Sequence, residues 1–400
     1  MAKEIIDLAI VGSGPNGLYA GFKFRNLFPN WNIVLFEKED YVCANIKSYP
    51  NVKWHSKMRE LKLPSSLNSF IDGDANPYTE DIANYYQEFA REHDLPIRLC
   101  HELISLDKER DVKYQDKIAP LTLLDFVTNG VRSQEFCRYT ILATGIFRGV
   151  RKLPFQNEKI NYGYSLETKE KHLVLIGAGN SAIDFIIHLL PHNKITWVMR
   201  SDEWASIFPT HQETFKSVYN EHRENLTIIR NTTISKFSEN GGLILSNGVE
   251  LLNFDACHVL IGYSPRNSLN DGLVFDFNEE CLALDSEFQT SQSNVFAFGS
   301  LMATWDTERS LPTPTYVHNG NDAKLQVIID AISRREVERI FVQTKVLPPH
   351  AYLNEQPSLK TSGRYFPKIQ TTFLYIKTKF SSVVKLNSRI KFLFKTLFIR

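Results

Sequence analysis

The chain opens on an apolar block, Ile5 to Val11 broken only by Asp7, that ends at Gly12. Past the glycines the apolar positions take helical spacing, and a second apolar block, Ile33 to Phe36, closes at Glu37. Strand, turn, helix and strand within about 30 residues is the βαβ unit of a parallel sheet. The pattern recurs 165 residues on, with Leu173 to Ile176 as strand, a turn at Gly177, a helix over Ser181 to Leu190 and a strand over Ile195 to Met199. Between the two units, Ala44 to Pro77 is rich in turn residues and reads as a loop excursion. Thr79 then offers an N-cap, Glu80 and Asp81 first-turn acids, and Ile82, Tyr85, Tyr86, Phe89 and Ala90 one face of a helix.

A strand at Thr140 to Ala143 runs into Thr144-Gly145, and a basic connection through Pro154 reads as a crossing between domains. Val259 to Gly262 echoes that crossing, Asn294 to Gly299 reads as a last strand returning to the first domain, and Ala323 to Ile332 as a closing helix. The expected architecture is α/β, with two Rossmann-like dinucleotide-binding domains, the second inserted in the first. Residues 1–155 with 288–345 form the first, residues 156–287 the second, and 346–400 an extension.

Composition narrows the class. Of 400 residues, 43% are hydrophobic and 23% charged, values of an ordinary folded chain. Five scattered cysteines without a C-x-x-C pair encode neither a disulfide framework nor a zinc ribbon, and no metal site is expected. Lys3, Glu4 and Asp7 interrupt the apolar run a secretion signal needs, so the cytoplasm is the expected compartment. The net charge of +1 hides an asymmetry: all 45 acidic residues lie at or before Glu355, while ten of the 46 basic ones follow it. The tail combines these charges with Ile390, Leu393, Phe394, Leu397 and Phe398 at helical spacing. It suits docking on the acidic body or a second subunit, or contact with an anionic membrane surface or acidic partner. Nucleic-acid binding lacks a motif, and a homo-oligomer is expected.

Gly12-Ser13-Gly14-Pro15-Asn16-Gly17 fits G-x-G-x-x-G. Gly12 permits the tight turn, Gly14 lets backbone approach a pyrophosphate, and Gly17 lets helix and strand pack closely. Glu37, followed by Lys38, stands where a carboxylate accepts ribose hydroxyls. The second copy, Gly177-Ala178-Gly179-Asn180-Ser181-Ala182, has a small alanine at its third position. Its second strand ends in Arg200-Ser201 without a carboxylate, which favours NADP(H) over NAD(H) through a 2′-phosphate on Arg200. Two such sites in one chain suggest a resident flavin and a hydride-delivering nicotinamide.

In the order of Gly12 to Gly17, Glu37, Ala143-Thr144-Gly145, Gly177 to Ala182, Gly262 and Gly299, the chain resembles the two-domain flavoproteins over residues 5–340. These include flavin-containing monooxygenases, N-hydroxylases, thioredoxin reductases and bacilliredoxin reductases. The resemblance implies FAD and NADPH as cofactors. It places FAD against Gly12, Gly14, Pro15, Asn16, Gly17, Glu37, Lys38, Thr144, Gly145, Gly299, Ser300 and Asn319. It places NADPH against Gly177, Gly179, Asn180, Ser181, Arg200 and Gly262.

Departures from the family pattern sort its branches. The C-x-x-C of thioredoxin reductases is missing, and the cysteine that bacilliredoxin reductases carry in the first glycine loop is Asn16. Trp54-His55-Ser56-Lys57-Met58, with Pro64 nine residues beyond His55, resembles the stretch that covers the flavin in monooxygenases, with His55 replacing their asparagine. His55, Asn16 and Lys57 are accordingly the catalytic candidates. Tyr164-Ser165 replaces a His-Ser pair, Gly299-Ser300 replaces Gly-Asp, and His318-Asn319-Gly320 precedes the closing helix.

The leading expectation is a monooxygenase that oxygenates a small nitrogen or sulfur nucleophile with dioxygen through a peroxyflavin. A flavin reductase of the bacilliredoxin reductase type, passing electrons to a disulfide, quinone or protein, is the alternative. A non-catalytic nucleotide-binding scaffold is the third reading.

Overall fold

The computed structural model describes residues 4–54, 56–61, 63, 73–114, 117–146, 149–203, 209–264, 273–276, 281–307, 311–313 and 321–344. The expected site residues His55 and Asn319, with His318 and the basic tail, lie outside these. The chain divides into a unit of residues 1–322 and a unit of residues 323–400.

β1 (Ile6–Val11) leads through α1 (Pro15–Leu27) to β2 (Ile33–Phe36), which lies parallel to it with Val11 opposite Phe36. Both strands are almost entirely buried, which is why they read as continuous apolar runs rather than alternating ones. Two short helices, α2 (Ala44–Lys47) and α3 (Met58–Leu61), interrupt the excursion expected to be loop. α4 (Thr79–Glu92) begins one residue earlier in its cap than expected. Tyr78 is the N-cap, its N–H donating to Asp81 Oδ2 at 2.9 Å, because the Thr79 hydroxyl is engaged with Pro50 O at 2.8 Å.

β3 (Ile97–Arg98) follows, then three long strands, β4 (Glu102–Tyr114), β5 (Lys117–Thr128) and β6 (Val131–Leu142), of which the sequence announces only the end of β6, the strand expected at Thr140 to Ala143. β6 serves two ladders. Its residues 131–137 pair antiparallel with β5 and are exposed or half-buried up to Phe136, whereas 137–142 pair parallel with β1 and are mostly buried.

The second sheet is all parallel. It contains β7 (Ile160–Asn161), β8 (His172–Ile176), then α5 (Asn180–Leu189), β9 (Lys194–Val198), α6 (Pro209–His222) and β10 (Leu226–Ile229). A small antiparallel sheet of β11 (Ile234–Phe237), β12 (Leu243–Leu245) and β13 (Glu250–Leu251) precedes β14 (Ala256–Val259), which completes the strand order β10-β9-β8-β14-β7. Phe185, Trp197 and Phe215 pack on one face of this sheet, and Val174, Val198, Phe254 and Val259 on the other. The segments linking the two sheets pair with each other: Arg151 N–H donates to Gly262 O at 3.0 Å and Ser264 N–H to Gly149 O at 2.7 Å.

After the hairpin of β15 (Phe275–Asp276) and β16 (Cys281–Leu282), β17 (Val295–Ala297) joins the first sheet, parallel to β6. A last hairpin, β18 (Thr304–Asp306) with β19 (Leu311–Thr313), precedes α7 (Asn321–Thr344), which is more than twice the length its apolar spacing suggested. Among the described residues no helix is long and apolar enough to cross a membrane.

Candidate active site

The carboxyl ends of β1, β6 and β17 lie side by side, and the expected flavin-site residues follow them. Gly12 turns sharply at φ 103°, where a side-chain carbon would stand 2.6 Å from Ala143 O. Gly17 is held against Gly12 so closely that a Cβ would come within 1.9 Å of its carbonyl oxygen. A Cβ on Gly14, by contrast, would meet nothing within 4 Å. Gly14 is the N-cap of α1, makes no side-chain cap, and is followed by no acid in the first turn. The leading N–H groups of a 13-residue helix therefore face open space at its positive end. That space and those donors fit a pyrophosphate.

Glu37, nearly buried, ties this loop to the end of β2. Its Oε2 accepts the Ser13 N–H at 2.9 Å and the Ser13 hydroxyl at 2.6 Å, while Oε1 accepts the Glu39 N–H at 3.1 Å. A carboxylate oxygen accepts more than one hydrogen bond, so Oε1 keeps capacity for a ribose hydroxyl. Lys38 points elsewhere, into an exposed ion pair with Glu102. Asn16 fills the space beside Gly299 and its Oδ1 accepts from Asn321 Nδ2 at 2.9 Å. Ser300, buried, has its hydroxyl 3.3 Å from where a side chain on Gly145 would stand, while Thr144 is exposed. The structure thus gathers Gly12, Asn16, Gly17, Gly145, Gly299 and Ser300 at one edge. Lys57 is placed by its backbone, whose N–H donates to Glu60 Oε2 at 3.0 Å at the start of α3.

Cys43 lies under this loop, a residue the sequence reading gave no role. Its thiol donates to Ser13 O at 3.4 Å from a left-handed backbone position, φ 56°. Burial first, then the nearby Glu37 charge, push its pKa well up. It is held as a thiol, the form without nucleophilic power.

The second glycine loop repeats the first. Gly12 N–H donates to Phe36 O at 2.7 Å and Gly177 N–H donates to Val198 O at 3.2 Å. A Cβ on Gly177 would lie 2.1 Å from Leu260 O, whereas one on Gly179, the uncapped N-cap of α5, would meet nothing within 4 Å. Asn180 and Ser181 form the first turn of α5, and Trp197 braces the loop by donating from Nε1 to Gly177 O at 2.5 Å. Arg200 is exposed just past β9, and Gly262 is exposed at φ 93° past β14. Both loops fit a dinucleotide.

Beside the second loop, at Ser181, stands a polar cluster that no linear motif announces. Tyr49, from the segment after α2, meets Tyr164 edge-on at 6.4 Å between ring centres, and Tyr164 packs on Phe185 of α5 at 5.4 Å. The hydroxyls of Tyr49 and Tyr263 both neighbour Ser181. Burial, aided by Tyr263 and Asp184, pushes the Tyr49 pKa up to about 12, and burial raises those of Tyr164 and Tyr263 as well. Asp184 Oδ1 in turn is 2.7 Å from Nε2 of the wholly buried His211 on α6. Among the described residues no group of His, Cys, Asp or Glu is arranged to hold a metal ion.

The family model described as pyridine nucleotide-disulphide oxidoreductase matches residues 9–299. Thioredoxin reductase of Ureaplasma parvum is 24% identical over 317 residues, covering 76% of this chain and 90% of the relative. Ferredoxin–NADP reductase of Acholeplasma laidlawii is 23% identical, covering 74% and 86%. Among solved structures, bacillithiol disulfide reductase of Bacillus cereus superposes with a TM-score of 0.69 at 18% identity, over 83% of this chain and all of that one. A flavin-containing monooxygenase of Stenotrophomonas maltophilia gives 0.62 at 17%, over 82% and 99%.

Proposed function

The chain belongs to the pyridine nucleotide-disulphide oxidoreductase family, and from that premise we propose that it is an FAD-dependent reductase that takes a hydride from NADPH and passes electrons on without a cysteine relay. Asn16 carries the absence of a cysteine relay. The position where a thiol relay needs sulfur is a side-chain amide locked to Asn321 and packed on Gly299. The nearest thiol beneath the loop, Cys43, is buried and kept protonated. Curated relatives spanning about three quarters of the chain are reductases, two of those reported above by name. That moves oxygenation from first reading to second.

In this reading residues 1–155 with 288–345 carry FAD and 156–287 carry NADPH. FAD, when bound, accepts a hydride and releases electrons singly or in pairs. The first turn of α1, from Gly14 and Pro15, holds its pyrophosphate, and Glu37 orients its ribose while fixing the loop through Ser13. Gly145 and Ser300 border the flavin, Ser300 offering a hydroxyl without charge. The first turn of α5 holds the NADPH pyrophosphate, with Asn180 and Ser181 supplying N–H groups, and Arg200 pairs with the 2′-phosphate.

The oxygenating reading is favoured by the stretch around Lys57. It is pinned at both ends, Trp54 N–H to Pro77 O at 2.8 Å and Met58 N–H to Ala75 O at 2.9 Å, as a cover over a flavin would need to be.

The test is anaerobic reduction of the FAD-loaded chain by NADPH, followed by mixing with ferricyanide or with dioxygen plus an amine or sulfide. Stoichiometric reduction of the acceptor with no oxygenated product is expected. An N-oxide or sulfoxide would replace this reading with the monooxygenase, and failure to bind FAD would leave a nucleotide-binding scaffold.

A further inference from the structure

We infer that Arg230, at the end of β10, is a second guanidinium that acts with Arg200 to recognise the 2′-phosphate of NADP(H). The inference rests on the NADPH reading above and adds the specificity-determining residue it lacks.

The two glycine units are equivalent hydrogen bond by hydrogen bond. Gly12 binds the carbonyl of Phe36, so Glu37 is the first residue beyond its strand, and Gly177 binds the carbonyl of Val198, so Met199 is. Where the first unit offers a ribose-binding carboxylate, the second offers a wholly buried thioether. No acid therefore stands at that place to repel a phosphate, and the recognition duty moves to neighbours on the rim. Arg200 is one neighbour along the chain.

The other neighbour is across the sheet. β10 lies parallel to β9 with Ile229 opposite Val198, and the Met199 N–H donates to Ile229 O at 2.9 Å. The ladder thus continues one residue past the strand ends and sets Arg230 opposite Met199, one strand spacing away, about 4.8 Å. Two arginine side chains starting from adjacent strand ends reach a common phosphate easily. Both are exposed, and among the described residues neither makes an ion pair.

The position is held firmly. Asn231 takes a left-handed conformation at φ 54° and turns the chain directly after Arg230. Thr232 N–H returns to Met199 O at 3.0 Å, the Thr232 hydroxyl lies 2.9 Å from that of Ser246, and Thr233 N–H donates to Ser246 Oγ at 3.1 Å. A guanidinium on a braced turn is preorganised for a dianion, and two donors from different strands fix its position better than one.

The experiment measures binding of 2′,5′-ADP and 5′-AMP to the full chain by calorimetry, for wild type, Arg230→Gln and Arg230→Lys. The wild type is expected to prefer 2′,5′-ADP. Arg230→Gln is expected to weaken 2′,5′-ADP by about tenfold or more, the loss of one charge-assisted contact, and to leave 5′-AMP within about twofold, with Arg230→Lys restoring part of the loss. Equal weakening of both nucleotides would assign Arg230 to the adenine or to general attraction and overturn the inference, as would no change in either. A wild type that binds both nucleotides alike overturns it while leaving dinucleotide binding intact. A wild type that binds neither overturns the nucleotide reading itself.

Discussion

Two alanine substitutions one turn apart separate what the first glycine loop does for the fold from what it does for a ligand. In Gly17→Ala the new methyl would lie 1.9 Å from the carbonyl oxygen of Gly12 and 3.0 Å from its carbon. Both are backbone atoms, so no rotamer relieves the clash and α1 must move off β1. Overpacking of this kind costs about 3 kcal/mol or more, and at roughly 2–4 °C per kcal/mol for a unit of this size the melting temperature falls by about 6–12 °C. Gly14→Ala differs. Gly14 has φ −68° and ψ 176°, ordinary for alanine, and its methyl meets nothing within 4 Å. Stability of the FAD-free chain should stay within about 1 kcal/mol. The methyl occupies the space from which phosphate oxygens approach the N–H groups of α1. Losing one charge-assisted hydrogen bond of about 1.5–3 kcal/mol weakens FAD by roughly ten- to a hundredfold. The assay pairs thermal unfolding of FAD-free protein by circular dichroism with fluorescence titration of FAD. A Gly14→Ala chain that binds FAD with unchanged affinity would refute the assignment of the pyrophosphate to this helix end.

Three further outcomes follow from named contacts. Thiol titration of the native chain with a disulfide reagent should find at most Cys100 reactive, since Cys43, Cys137, Cys257 and Cys281 are buried and burial pushes Cys137 and Cys257 up to about 12; blocking Cys100 should leave NADPH-driven acceptor reduction unchanged. The raised pKa of Tyr49, about 12 against 10 for an exposed tyrosine, means its contribution to stability is complete below pH 10 and is lost as pH rises toward 12, because the unfolded chain ionises first; melting temperatures measured across that range should fall less steeply for Tyr49→Phe than for wild type. Trp197→Phe removes the donor to Gly177 O and leaves a cavity beside Phe215, so it should cost about 1–3 kcal/mol in urea unfolding and weaken NADPH more than FAD.

Both glycine loops were legible because their geometry leaves no alternative residue: Gly12, Gly17 and Gly177 each stand where a side chain would meet backbone. Glu37 was legible for the same local reason, one residue past a strand whose register the glycine sets. Arg200 followed from the missing carboxylate. Arg230 was not legible, since only the β9–β10 register brings it to Met199 across 31 residues of chain. The Tyr49, Tyr164, Tyr263, Asp184 and His211 cluster was hidden likewise, each member arriving from a different part of the chain. β4, β5 and the first half of β6 escaped notice because β4 and β6 carry many charges with weak alternation and β5 is an apolar run interrupted by Pro120. The Thr79 cap was misplaced by one residue because the sequence does not reveal that Pro50 would claim its hydroxyl.

Electron flow from NADPH through the flavin is tested by anaerobic addition of NADPH to the FAD-loaded chain, watched in the visible flavin band and followed by ferricyanide. Bleaching is expected at one NADPH per bound flavin, with full return of colour as the acceptor is reduced, both unaffected by blocking thiols. A flavin that NADPH leaves oxidised, or electron transfer that stops when cysteines are alkylated, would contradict a reductase without a cysteine relay.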